Sequence, residues 1–377
     1  MRMFKEGAVA LGLLAVMAGS GAAQTQIEED NSGVGTTSAE FLLLGAGARG
    51  MALGSGFGAI VRDVEALYYN PAGLPLMEGP EASFTMMPYF ADTDYVWAGV
   101  ASPIMNGQFG IGLSIANFGF GDQPVTSEGD PQGESGLQYD VSETVVGLSF
   151  AHAFIDRFTG GVTLKYINSS LGQTDASGFG VDVGTNFHTE WNGRPIALSF
   201  VIQNLGTTLS YEGAGLNLEN VFPEPDGDTP VGAVDPFPAE LNAHEFSMPI
   251  VFRVGAAYDV LASDANRLTL LGQFNEINNN AASWGFGGEY GWTPVDLPVT
   301  AALRGSYDFQ PDNDFDGDTS DAMDAAYDTD NSDSLDGLTL GGGLTYSLGD
   351  YSAGFDYAWR HFGVLGSRNV FTISLGW

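Results

Sequence analysis

Seven residues in the stretch Gln310–Asp336 have the spacing of a cation loop. Asp312-Asn313-Asp314-Phe315-Asp316-Gly317-Asp318 sets side-chain oxygens at alternate positions before a glycine, as a short loop does to wrap a hard cation such as calcium. Asp312, Asp314, Asp316 and Asp318 are the candidate calcium ligands. The twelfth position of that register, where a bidentate acid belongs, is Met323; Asp324 stands one residue late. Asp328, Asp330, Asp333 and Asp336 offer a second acidic patch. The competing reading is a solvated acidic loop, part of a bias running through the chain. Twelve Lys+Arg stand against 47 Asp+Glu, a net charge of -35, which suits a saline habitat. No other cofactor is expected.

The remaining chemistry is excluded more easily than assigned. Zero Cys removes disulfides, thiolate metal sites and cysteine nucleophiles. His152, His188, His244 and His361 stand singly, with no metal-ligand spacing. Ser149 and His152 share one segment but differ in parity, so they point to opposite faces and make no nucleophile–base pair. Gly45–Gly58 lacks the Lys and the preceding strand of a phosphate loop. The acidic balance argues against a nucleic-acid partner, which needs a basic patch to displace counterions from phosphate. The chain reads as a non-enzyme.

The elements that carry these residues come in three parts. Residues 1–23 form a signal peptide: Arg2 and Lys5 are the positive start, Ala8 to Ala18 the apolar run and Gly21-Ala22-Ala23 the cleavage site. Residues 24–80 form an N-terminal extension and plug. Residues 81–377 form fourteen segments of alternating hydrophobicity, the first near Glu81–Phe90 and the last near Asn369–Trp377. Tyr351, Ala353, Phe355, Tyr357 and Trp359 oppose Ser352, Gly354, Asp356, Ala358 and Arg360. The polar faces carry mostly Gly, Ser and Thr, with single charges such as Lys165, Asp182, Arg304, Asp356 and Arg360. That composition suits the inside of a barrel better than bulk solvent.

Connector lengths alternate too. Those after even-numbered segments are short, as at Ile155–Arg157 and Gly349–Asp350, while Gly119–Val141, Leu205–Glu245 and Gln310–Asp336 all fall in the other set. Short turns inside and long loops outside define a transmembrane barrel. The predicted fold is all-β: a 14-stranded antiparallel transmembrane β-barrel, both termini on the periplasmic side, in the outer membrane of a Gram-negative-type bacterium. A secreted sandwich or propeller is the alternative. Pro223, Pro225, Pro230, Pro236 and Pro238 stiffen the second long connector, suggesting an ordered external surface; Asn117–Gly121 is a candidate break in the third strand, with a bulge of no function the favoured reading. Phe371, Ile373, Leu375 and Trp377 share one face of the last strand. They are the expected insertion signal, read by the barrel assembly machinery before this face meets outer-membrane lipid.

Residues 36–80 do not read as strands. A short helical turn through Arg62–Tyr69 is ended by Asn70-Pro71-Ala72-Gly73, because proline bars the residue before it from helical geometry and Gly73 supplies a permissive backbone. A fourteen-strand lumen is too wide for side chains to fill, so this small-residue stretch is expected to plug it. Its pattern, Gly47-Ala48-Arg49-x-x-x-Leu53-Gly54-x-x-Phe57-x-Ala59 then Asp63-x-x-Ala66-Leu67-x-x-Asn70-Pro71-Ala72-Gly73-Leu74, resembles the N-terminal hatch of PorV/PorQ family proteins, relatives of the FadL-like barrels. Asp356-Tyr357-Ala358-Trp359-x-x-x-x-Val364-Leu365-Gly366 is similar to that family's penultimate strand and last loop. Asn369 departs from the His of many relatives, and the acidic loop is no family hallmark. The resemblance implies a type IX secretion-associated protein. Its partners would be secreted proteins with a C-terminal signal domain, which it attaches at the surface, and other secretion components. The alternative is a FadL-like channel for hydrophobic small molecules. Asn70, Pro71, Ala72 and Gly73 carry over as a hatch motif with no chemistry attached.

Overall fold

A computed structural model of the chain describes residues 35–126, 129–221, 237–309, 335 and 337–377. The strands are β1 (Glu81–Pro88), β2 (Asp94–Ile104), β3 (Phe109–Pro124), β4 (Gln138–Ile155), β5 (Phe158–Leu171), β6 (Thr174–Trp191), β7 (Arg194–Gly206) and β8 (Asn217–Val221). They continue as β9 (Phe237–Glu240), β10 (Val251–Ala262), β11 (Asn266–Ile277), β12 (Asn280–Trp292), β13 (Val299–Phe309), β14 (Leu338–Leu348), β15 (Tyr351–His361) and β16 (Ser367–Gly376). β8 and β9 pair only with each other, and the other fourteen close into one barrel. Each neighbouring pair in the ring is antiparallel, and β1 meets β16 from Glu81↔Gly376 to Met86↔Phe371. Closure leaves no sheet edge to satisfy.

Alternation decides which face is which. Ile111, Leu113 and Ile115 of β3 and Phe371, Ile373 and Leu375 of β16 are exposed on the outer surface. Thr85, Ser149, Thr163 and Thr372 are buried inside, where Thr85 and Thr372 share a 2.8 Å hydroxyl contact and Ser149 and Thr163 one of 2.7 Å. An apolar exterior around a polar interior inverts a soluble protein and matches a barrel in lipid. The closed ring excludes the sandwich. A membrane strand needs only about 9–11 residues, so the 18-residue β4 and β6 extend beyond the lipid. The change of surface is visible at Asn117, whose amide donates to the hydroxyls of Ser142 (2.8 Å) and Thr144 (2.9 Å) on the same outer face.

The structure departs from the sequence reading in three places and bears out the favoured bulge in the third strand. β3 is unbroken at Asn117–Gly121, pairing Val96↔Asn117, Tyr95↔Phe118 and Asp94↔Gly119. Only a register shift between Phe120 and Gln123 interrupts its ladder with β4, a bulge that leaves the wall closed. The eighth barrel strand starts at Val251, not near Phe246, because Phe246 bridges Leu209 and Ser247 bridges Thr37 instead. The long connector after β7 contains the β8–β9 hairpin, which no alternation signalled. Gly73 is absent from the positive-φ glycines; what it supplies is room, since a Cβ there would sit 2.4 Å from the Val61 carbonyl oxygen. The two ends of the barrel share the short-turn mouth as expected, and the first described residues of the inner segment lie at the opposite one, where Ser38 N–H donates to the Ser247 carbonyl oxygen (2.9 Å). The signal peptide, Asp312, Asp314, Asp316, Asp318 and Pro223 through Pro236 lie outside the described residues.

Between that start and β1, the chain folds into short helical turns at Glu40–Leu43, Ala48–Leu53, Gly54–Ala59, Ala66–Tyr69 and Pro71–Leu76. Ala48–Leu53 touches β12 to β16, Gly54–Ala59 touches β7 and β10 to β13, and Pro71–Leu76 touches β2 to β6. A segment that meets a closed ring on every side lies inside it. Phe57, Val61, Val64, Leu67 and Leu74 are buried there, so the hydrophobic core forms between this inner segment and inward strand residues such as Tyr95, Trp97 and Ile167.

Candidate functional site

Asn70 is fully buried and extended at φ -166°, ψ 102°, as the following proline demands. Its side chain uses every donor it has. Nδ2 donates to the carbonyls of Gly58 (2.9 Å) and Thr185 (3.2 Å), while Oδ1 accepts from Ala72 N–H at 3.1 Å and caps the turn that Pro71 opens. One residue thus ends a helical turn, starts another and ties both to β6. The wall yields to make this contact: a Cβ on Gly184 would meet Asn70 Oδ1 at 2.1 Å. Thr159 on β5 donates to Ala72 O at 2.7 Å and Asn186 on β6 to Ala59 O at 3.0 Å.

On the far side the segment is held by charge. Arg49 grips Glu289 on β12 with two parallel bonds of 2.9 and 2.8 Å and reaches Asp63 with a third of 2.6 Å. Arg304 on β13 takes the same Glu289 at 2.6 Å and also bonds Asp356 on β15. Bidentate Arg–carboxylate geometry fixes position as well as charge. Beside it, Glu65 Oε2 accepts from Gly50 N–H at 2.8 Å. Gly47, at φ +70°, makes room for that carboxylate, which a Cβ would meet at 1.8 Å. Burial, reinforced by Asp63 and Asp356, raises the Glu65 carboxyl well above its usual range.

A third cluster lies on the opposite wall. Lys165 on β5 pairs with Asp182 on β6 at 2.7 Å and donates to Asn204 Oδ1 at 2.7 Å, all three residues being buried. Lys165 lines a cavity of about 20 Å³ between the inner segment (Phe41, Leu42, Leu67, Tyr68) and β2 to β5 (including Tyr95 and Trp97). Room of that size holds about one water; binding benzene takes roughly 150 Å³. The cavity is apolar and aromatic with one cation at its edge, and it is too small for an arene.

The other residues singled out from the sequence are not brought together. Phe371, Ile373, Leu375 and Trp377 are exposed along the outer face of the chain's end. No group of three or more ligating side chains that could hold a metal occurs among the described residues. Ser149 bonds Thr163, not a histidine. The ion pairs were missed because Arg49, Glu289 and Arg304 lie far apart in sequence. Their signal was register: Glu289 and Arg304 are direct cross-strand partners on inward parity.

No protein-family model matches the chain, and no curated protein matches it in sequence. Solved structures do. The CymD monoaromatic hydrocarbon channel superposes with a TM-score of 0.53 at 14% identity, over 88% of this chain and 97% of that one. The Ralstonia pickettii toluene transporter TbuX gives 0.48 at 13% identity (89% and 98% covered). The Pseudomonas putida toluene transporter TodX gives 0.49 at 12% identity (88% and 96% covered). At these identities the likeness, carried by CymD, is one of fold alone: the closed barrel described above. These neighbours are transport channels rather than enzymes.

Proposed function

We propose that this chain is an outer-membrane channel for hydrophobic small molecules, with residues 36–80 as its hatch. The carrying observation is the small aromatic cavity between the inner segment and the β2–β5 wall, with that segment pinned by Arg49 and Asn70 on opposite sides. A permeant enters this cavity only if the segment shifts, so the pins set how often the path opens. The fold shared with a monoaromatic hydrocarbon channel supports this reading. The secretion role rests on the motif resemblance alone, and the comparisons add nothing to it.

The test is uptake of radiolabelled toluene into liposomes containing the purified full-length protein, beside a deletion strain scored for surface attachment of secreted proteins. Uptake above empty liposomes, with attachment intact in the deletion strain, is the expected result. Lost attachment and no uptake would reverse the assignment. Arg49→Gln removes the bidentate grip at a cost of roughly 1–3 kcal/mol to the seated segment and should raise uptake several-fold.

A further inference from the structure

Above the cavity, at the long-loop mouth, four aromatic rings come from three parts of the chain. Tyr89 and Phe90 follow β1, Phe118 lies on β3 and Phe362 follows β15. Tyr89 packs edge-on against Phe90 (4.4 Å between centroids), Phe118 (5.6 Å) and Phe362 (5.8 Å), and Phe90 against Phe362 (5.6 Å). Arg368 lies over the Phe90 ring at 3.6 Å and Arg360 over Phe362 at 4.7 Å. These arginines share inward parity with Asp356, Ala358, Val370 and Thr372. Phe118 is the direct partner of Tyr95, a cavity residue, so the cluster sits on the cavity rim.

The charges are what make this a site. Arg360 and Arg368 are direct cross-strand partners, and like charges in that position repel. With 47 acidic residues in the chain, a neutralising carboxylate would be easy to supply. Yet neither arginine forms an ion pair among the described residues; the six that occur there involve other cations. Arg368 spends one donor on Ser367 O at 2.7 Å, and its buried Nε has no hydrogen-bond partner. Arg360 makes no side-chain hydrogen bond among the described residues. Two adjacent guanidinium groups on an aromatic floor offer unspent N–H donors to a planar anion.

We propose that this mouth is a binding site for small aromatic carboxylates, with Arg360 and Arg368 taking the carboxylate and the four rings taking the arene. The inference rests on the channel reading and adds small aromatic anions to the hydrophobic molecules that this mouth receives. Calorimetry of benzoate binding to the full-length protein in nanodiscs tests it, beside the R360Q, R368Q and double variants, each first checked for a folded barrel by heat-modifiable gel mobility. Benzoate should bind the native protein and weaken at least tenfold in the double variant and with added salt, while toluene uptake into liposomes stays within twofold. Arg360→Lys with Arg368→Lys, which keeps the charge but loses the planar fork, should fall between. Toluene uptake without benzoate binding, or binding indifferent to the double variant, overturns the site and leaves the channel standing. Charge-dependent benzoate binding without any uptake keeps the site and overturns the channel.

Discussion

Glu65 is the residue at which the interior is most sensitive to solution conditions. Its carboxyl is buried beside Asp63 and Asp356, with Arg49 the facing cation, and holds its proton above the usual carboxylate range. The seated segment therefore binds a proton that a solvated segment would release. By linkage, seating is fully favoured below the ordinary carboxylate range and weakens as pH rises through the raised value. Leak of a small hydrophobic solute through reconstituted barrels should increase with pH, and Glu65→Gln should flatten the profile near its low-pH limit. A native profile that falls with pH would contradict this placement of the proton. Asn70 illustrates how far residues alone can be read. Asn-Pro announced the end of a helical turn, which the structure has; that Nδ2 would also tie Gly58 to Thr185 on β6 was not legible. The first is local backbone sterics, and the second needs a partner over a hundred positions away.

Strands were legible because lipid imposes a two-residue period and leaves small polar residues inside. Tyr351, Phe355 and Tyr357 share one face in the alternation, and the structure exposes all three on the outer side of β15. The β8–β9 hairpin escaped because a short ribbon outside the lipid need not alternate. At the other extreme, the terminal strand has a simple outer face, and its role is assembly. Trp377 is half exposed beyond β16, with its N–H donating to Pro80 O at 3.1 Å, so it stands where the ring closes. Trp377→Ala should reduce the heat-modifiable barrel recovered from outer membranes several-fold, while the toluene uptake per folded barrel stays unchanged. Normal recovery would remove the strand's end from the insertion signal.

For the whole molecule, the order of the chain has a consequence of its own. The inner segment precedes β1, touches strands around the ring and is enclosed when β16 meets β1. Thr372 marks the point of closure from within: its hydroxyl contacts Thr85 across the seam and accepts from Ala48 N–H, each at 2.8 Å. The expected order is that the segment seats before the seam joins, since its contacts reach strands all round the ring. The seam is then fastened onto its own contents, much as a lid is crimped onto a filled can. A barrel made from residues 81–377 should be rescued by a synthetic 35–80 peptide supplied during refolding, and not by the same peptide added after closure; equal rescue at both stages would mean that the seam reopens in the mature protein.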